Sequence, residues 1–87
     1  QIRPEEGRVY FLTGEALQRI GSFEEAIKKY EQARSLAYSE NPCLLSLNIA
    51  KCYQALGNHK QAIEEAERAV IEDPTDINAK EFWTQHK

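Results

Sequence analysis

Gly21-Ser22-Phe23-Glu24-Glu25-Ala26-Ile27 and Gly57-Asn58-His59-Lys60-Gln61-Ala62-Ile63 stand 36 residues apart and place Gly, Ala and Ile at matching positions. The same offset lays Ala33 on Ala69, Ala16 on Cys52 and Leu17 on Tyr53. Self-similarity at a period of roughly 20–50 residues marks a repeat architecture. Each unit reads as helix, short turn, helix. The Gly is the turn, because a left-handed cap conformation costs little only for Gly.

Working outward, the first helix of unit one carries Tyr10, Gly14, Leu17 and Ile20, with Thr13 on the same side. That is helical spacing rather than strand alternation. Ser22 with Glu25 three residues on predicts a capping box for the next helix, whose inward stripe is Ala26, Ile27, Tyr30 and Ala33. Unit two repeats the pattern. Asn41 is the expected N-cap and Pro42 the first helical residue; Leu45, Ile49, Cys52, Tyr53 and Leu56 form the stripe. Asn58 with Gln61 predicts a second capping box, before an inward stripe of Ala62, Ile63, Ala66, Ala69 and Val70. Pro74 closes the unit, and Thr75 or Asp76 opens a fifth helix through Ala79, Phe82 and Trp83. Paired helices approach closely only where side chains are small, so Ala26 is expected against Gly14, and Ala62 against Ala50.

These residues resemble the tetratricopeptide repeat, W-x2-L-G-x2-Y, then A-x3-F, then A and P. Unit one offers Tyr10, Thr13, Gly14, Leu17, Ala26, Tyr30 and Ala33; unit two offers Ser46, Ile49, Ala50, Tyr53, Ala62, Ala66, Ala69 and Pro74. The usual period is about 34 residues, and the connection Tyr38-Ser39-Glu40-Asn41 carries two more. Tyr10 and Ser46 hold the usual Trp position. The resemblance implies an all-α fold: a right-handed superhelix of two hairpins with a C-terminal capping helix. The expected bounds are 7–40 and 43–76 for the repeats and 76–86 for the cap, in one domain over 1–87.

The resemblance also implies a concave face, lined mainly by the first helix of each unit, that holds a peptide segment or a partner helix. On this chain that face predicts Phe11, Leu12, Glu15 and Gln18 from the first helix. The third helix adds Leu44, Leu47, Asn48 and Lys51, and the fifth adds Phe82. Exposed apolar residues in a cluster mark interaction sites, with polar neighbours supplying orientation. One branch of the family grips the C-terminal carboxylate of heat-shock chaperones with Lys and Asn on the first helix, Asn on the third, and Lys and Arg on the fifth. Here those positions hold Phe11, Glu15, Asn48, Asn78 and Phe82, so only Asn48 matches. Glu15 would repel an anionic tail. Chaperone-tail capture is therefore not expected through this site. A co-chaperone-type domain of a larger protein and a weakly self-associating structural segment remain the alternative readings.

Composition agrees. The net charge is −3, with eleven Lys and Arg scattered along 87 residues, which argues against a nucleic-acid partner. No apolar run is long enough for a membrane span. Cys43 and Cys52, on one helix, lie about 13 Å apart at 1.5 Å rise per residue, beyond disulfide reach. Free thiols fit a reducing, cytoplasmic setting. Catalysis is not expected, nor a metal or other cofactor: the sequence holds no Gly-rich phosphate loop, metal-ligand spacing or nucleophile–base pair. His59 reads as a packing residue, and Glu64, Glu65 and Glu67 as one solvated face.

Overall fold

The computed structural model describes residues 4–36 and 41–87, with side chains from Glu6 onward. Its elements are α1 (Pro4–Arg19), α2 (Phe23–Ser35), α3 (Pro42–Ala55), α4 (His59–Glu72) and α5 (Ile77–His86). Consecutive helices pack on one another, and α1 meets α3 as α3 meets α5. Two hairpins, α1–α2 and α3–α4, therefore stack with their first helices side by side, and α5 covers the end. Tyr38, Ser39 and Glu40, where the longer connection was placed, lie outside the described residues.

The two Gly turns are built alike. Gly21 and Gly57 have φ of 87° and 81°. The amide of Ser22 donates to the Leu17 carbonyl at 2.9 Å and that of Gly21 to Gln18 at 3.2 Å. Asn58 donates to Tyr53 at 2.9 Å and Gly57 to Gln54 at 3.0 Å. This paired bonding satisfies the last carbonyls of each helix. The expected capping boxes do not form: neither Ser22 nor Asn58 makes a side-chain cap bond, and the other half of each box is blocked. In a capping box the acidic or amide side chain accepts from the N-cap amide, and here those amides are already committed to the preceding helix. Asn41 and Asp76, which follow no such turn, do cap: their carboxamide and carboxylate accept from Leu44 at 3.0 Å and Ala79 at 2.9 Å.

The main core lies between α1, α2 and α3 and joins Phe11, Ala26, Ile27, Tyr30 and Ala33 to Leu45, Ile49 and Cys52. A second cluster, between α3, α4 and α5, joins Cys43, Leu47, Ala69 and Ala79, flanked by Val70 and Phe82. Ala26, Ala33, Ala50, Ala62, Ala66, Ala69 and Ala79 have no exposed surface, which is where the helices nest closely. At Gly14 the tightest approach is that of Tyr30. A Cβ there would fall 2.6 Å from Cε1 and 2.7 Å from Cδ1 of Tyr30. Tyr30 is wholly buried, and burying an aromatic of that size contributes about 2–3 kcal/mol.

Two stripe residues of α1 depart from expectation. Thr13 is exposed and Ile20 is 75% exposed, because α2 covers only one side of α1. Leu56, at the end of α3, is also exposed.

Candidate functional site

The predicted face is formed by α1, α3 and α5, and the structure sorts its residues into two groups. Phe11 and Leu47 are interior, 5% and 3% exposed. The Phe11 ring lies 5.7 Å from that of Tyr30, tilted by 50°, and Leu47 belongs to the cluster of Ala69, Ala79 and Phe82. Both were expected as exposed apolar contacts, and both are held in the core instead. Asn48 is 7% exposed, next to the Tyr30 hydroxyl, whose pKa it lowers. That hydroxyl donates to Gln18 Oε1 at 2.6 Å. Burial, then the nearby Cys52 and Glu15, push the Tyr30 phenol far above its ordinary pKa, so it stays a donor.

The accessible members are Leu12, Glu15, Gln18, Leu44, Lys51 and Phe82. Leu12 is half exposed and Lys51 exposed; Glu15, Gln18, Leu44 and Phe82 are partly covered. Leu44 rests against the main core. Phe82 stacks on His86 with centroids 4.2 Å apart, and the His86 ring hydrogen-bonds the Phe82 carbonyl through Nδ1 at 2.8 Å. A separate groove of about 630 Å³ lies on α2, lined by Glu25, Ile27, Lys28, Lys29, Glu31, Gln32 and, from α3, Tyr53. It is not part of the predicted face.

Three further features escaped the sequence reading. Glu65 is not a solvated residue: its carboxylate accepts from Arg34 Nη2 at 2.8 Å. The same guanidinium donates to Glu31 at 3.1 Å and to Ser46 Oγ at 3.2 Å, and Ser46 donates to Glu72 at 2.7 Å. Burial works against the charge on Arg34, but the bond and attraction from Glu65, with Glu31 and Glu72, outweigh it and raise its pKa. This clip ties α2 to α3 and α4. His59 is exposed and bonds Gln54 Oε1 at 2.9 Å, closing its own turn rather than packing.

The third feature is the meeting of Cys43, Asp73 and Asp76, whose ligand-type atoms lie within 4.8 Å of one another. Among the described residues this grouping brings together donor atoms suited to a cation. Each already has a local task. Asp73 accepts from the Thr75 hydroxyl at 2.6 Å and amide at 3.1 Å, and Asp76 caps α5. Burial, then the two neighbouring aspartates, push the Cys43 thiol up to about 11, which keeps it in the neutral form at neutral pH. Cys52 is likewise pushed to about 11 by burial. Both cysteines are free, as their spacing required.

Residues 17–82 match the tetratricopeptide repeat, and the chain belongs to that family. It is a helical repeat module of the protein-interaction type. It is 43% identical over 61 residues to the heat-shock protein cognate co-chaperone sgt12 of Aspergillus fumigatus, a match covering 70% of this chain and 17% of that protein. It is 32% identical over 66 residues to the mouse outer dynein arm-docking complex subunit 4, covering 76% of this chain and 10% of that protein. The chain thus spans a small part of the length of either relative.

Proposed function

We propose that this module is a non-catalytic adaptor that holds a peptide segment or partner helix on the face of α1, α3 and α5. What supports the reading is that α1, α3 and α5 pack as neighbours and carry accessible apolar residues Leu12, Leu44 and Phe82 and the exposed Lys51. Apolar contact with a few orienting charges is the composition of a modest protein interface. A groove made by three short helices buries a low-end area, so the complex is transient, with tethering in a larger assembly raising its occupancy. A cytoplasmic setting suits two free thiols.

One relative is named as a co-chaperone, which makes a chaperone partner the second reading. Against carboxylate-tail capture stands Asn48, the one residue matching the two-carboxylate clamp. It is buried beside Tyr30, set back from the accessible surface where an anion would be gripped. Glu15 adds a negative charge nearby.

The test is a pull-down read by quantitative mass spectrometry with wild type, Lys51→Glu and Leu12→Asp. Both positions are exposed, so both variants keep the fold. Proteins retained by wild type and depleted on both variants are the expected result. An unchanged set refutes the face. A short acidic C-terminal peptide that binds tightly and is lost on Asn48→Ala would establish the chaperone-tail reading instead.

A further inference from the structure

The repeat offset of 36 lays Glu15 of α1 on Lys51 of α3. These are equivalent positions on two first helices that meet, so opposite charges stand at one level of the same face. Lys51 is exposed and Glu15 partly covered. Arg34 makes the ion pairs found among the described residues, with Glu31 and Glu65, so Glu15 and Lys51 are not in one. Arg8 and Arg19 lie at other levels, opposite Leu44 and Ala55 by the same offset. On the far side of α3, Phe82 of α5 packs against the cluster of Leu47 and is partly accessible. Across the face the order is acid on α1, base on α3 and apolar on α5.

Gln18, three residues on from Glu15, adds a polar contact. Its Oε1 accepts from the Tyr30 hydroxyl at 2.6 Å, and Tyr30 is wholly buried. The carboxamide is thus held by its oxygen and keeps its NH2 group as a donor. A fixed donor suits a backbone carbonyl. In a helix those carbonyls are already bonded along the chain, whereas a polyproline-II segment has no internal hydrogen bonds and leaves them open. The spacing agrees as well. Three residues of polyproline II put like-facing side chains about 9 Å apart, and packed helix axes lie about 8–10 Å apart.

We propose, resting on α1, α3 and α5 as the face that binds, that its occupant is a polyproline-II segment of ordered charge. Its side chains at every third residue run base, acid, apolar: the base on Glu15, the acid on Lys51 and the apolar side chain on Phe82. Because Lys51 stands on the middle helix, the acid is the middle residue whichever way the segment runs. Gln18 donates to a carbonyl near the basic residue. A uniformly acidic segment is disfavoured by Glu15 and a uniformly basic one by Lys51, so the order of charges, rather than their sum, selects the partner.

Phage-displayed random 12-residue peptides test this, selected on wild type and on the doubly reversed Glu15→Lys, Lys51→Glu protein, with both folds checked by circular dichroism. Wild type is expected to enrich an acid with a base three residues to one side and an apolar residue three to the other. The reversed protein is expected to enrich the same frame with the base in the middle and the acid at the end. Lys51→Glu alone, at an exposed position, should weaken a synthetic peptide of the wild-type frame about fivefold, the change from opposite to like charge at an exposed site. Leu12→Asp should remove both sets of peptides. Peptides lost on Leu12→Asp that show no charge order, or the same order on both proteins, overturn the proposed occupant and leave the face standing. A selected peptide that binds as a helix by isotope-labelled NMR does the same. Peptides that survive Leu12→Asp overturn the occupant and the face together, and a selection that enriches no peptide overturns the occupant.

Discussion

Gly14→Ala is the sharpest test of how the first hairpin is built. In an ordinary helix the change stabilises by about 1 kcal/mol. Here the new Cβ would lie 2.6 Å from Cε1 and 2.7 Å from Cδ1 of Tyr30, nearly 1 Å inside ordinary carbon contact. The atoms that must yield belong to a rigid ring, not to the tip of a flexible chain. That ring is wholly buried, bonded through its hydroxyl to Gln18 at 2.6 Å and packed against Phe11. Overpacking of this kind costs about 1–3 kcal/mol, and a displaced Tyr30–Gln18 bond adds about 1 kcal/mol. Set against the propensity gain, the net loss is about 1–3 kcal/mol. For a domain of this size that lowers Tm by about 5–20 °C, readable by circular dichroism at 222 nm. A second arm isolates the cause. In a Tyr30→Leu background the obstacle is gone, so Gly14→Ala should turn neutral or stabilising, a coupling visible in a double-mutant cycle. A single Gly14→Ala variant as stable as wild type would refute the claim that Tyr30 occupies the space above Gly14.

Three other outcomes follow from the packing and the titrating groups. Ala62→Leu, at a site with no exposed surface, should overpack the α3–α4 hairpin and cost about 1–3 kcal/mol in urea unfolding; an unchanged midpoint would contradict the nesting. Cys43 and Cys52, at about 11 in the folded protein against an ordinary 9.0, should resist iodoacetamide at pH 8.5 until urea unfolds the chain. Because their folded pKa is raised, they favour the folded state below pH 9, and that contribution is lost as pH climbs from 9 towards 11; stability measured across that window should fall. Asp73 runs the other way: bonds from the Thr75 hydroxyl and amide hold its carboxyl below the ordinary 3.8. Its contribution is present above that value and lost as pH drops through the lowered one, and Thr75→Ala should return the Asp73 carboxyl resonance toward the ordinary titration midpoint.

Much of the fold was legible because its punctuation is local. Gly21, Gly57, Asn41, Pro42 and Asp76 act through bonds spanning a few residues, so their places along the chain reveal the helix ends. The capping boxes were misread because two local motifs competed for one amide, and the Gly turn took it. The site was less legible. Periodicity identifies an apolar face but not how many neighbours surround a helix. In α3, eight residues from Cys43 to Cys52 are buried, since α1, α2, α4 and α5 all pack on it. Leu47 and Asn48 are interior for that reason. A signal was present: between Pro42 and Ala55 the only charged residue is Lys51, and a helix apolar on nearly all sides is a buried one. The Arg34–Glu65 pair had no comparable trace, because 31 residues separate partners that only the stacking brings together.

That pair shows how a repeat built from interchangeable parts can still fix the order of its parts. The apolar contacts between α2 and α3 are made by Ala, Ile, Leu and Cys, residues that accept any helix of similar profile. Selectivity must come from groups whose cost when mismatched is high, and a partly buried guanidinium is one: removing its acceptor leaves an ion with too little water around it. Arg34 finds acceptors in Ser46 and Glu65 of the following unit, while the same two positions one unit earlier hold Tyr10 and Lys29. The acceptors that Arg34 needs are thus present in the second unit, and the equivalent positions of the first lack them. Small side chains let the hairpins stack, and the Arg34–Glu65 clip adds a charge-specific contact at the junction of α2 with the second unit.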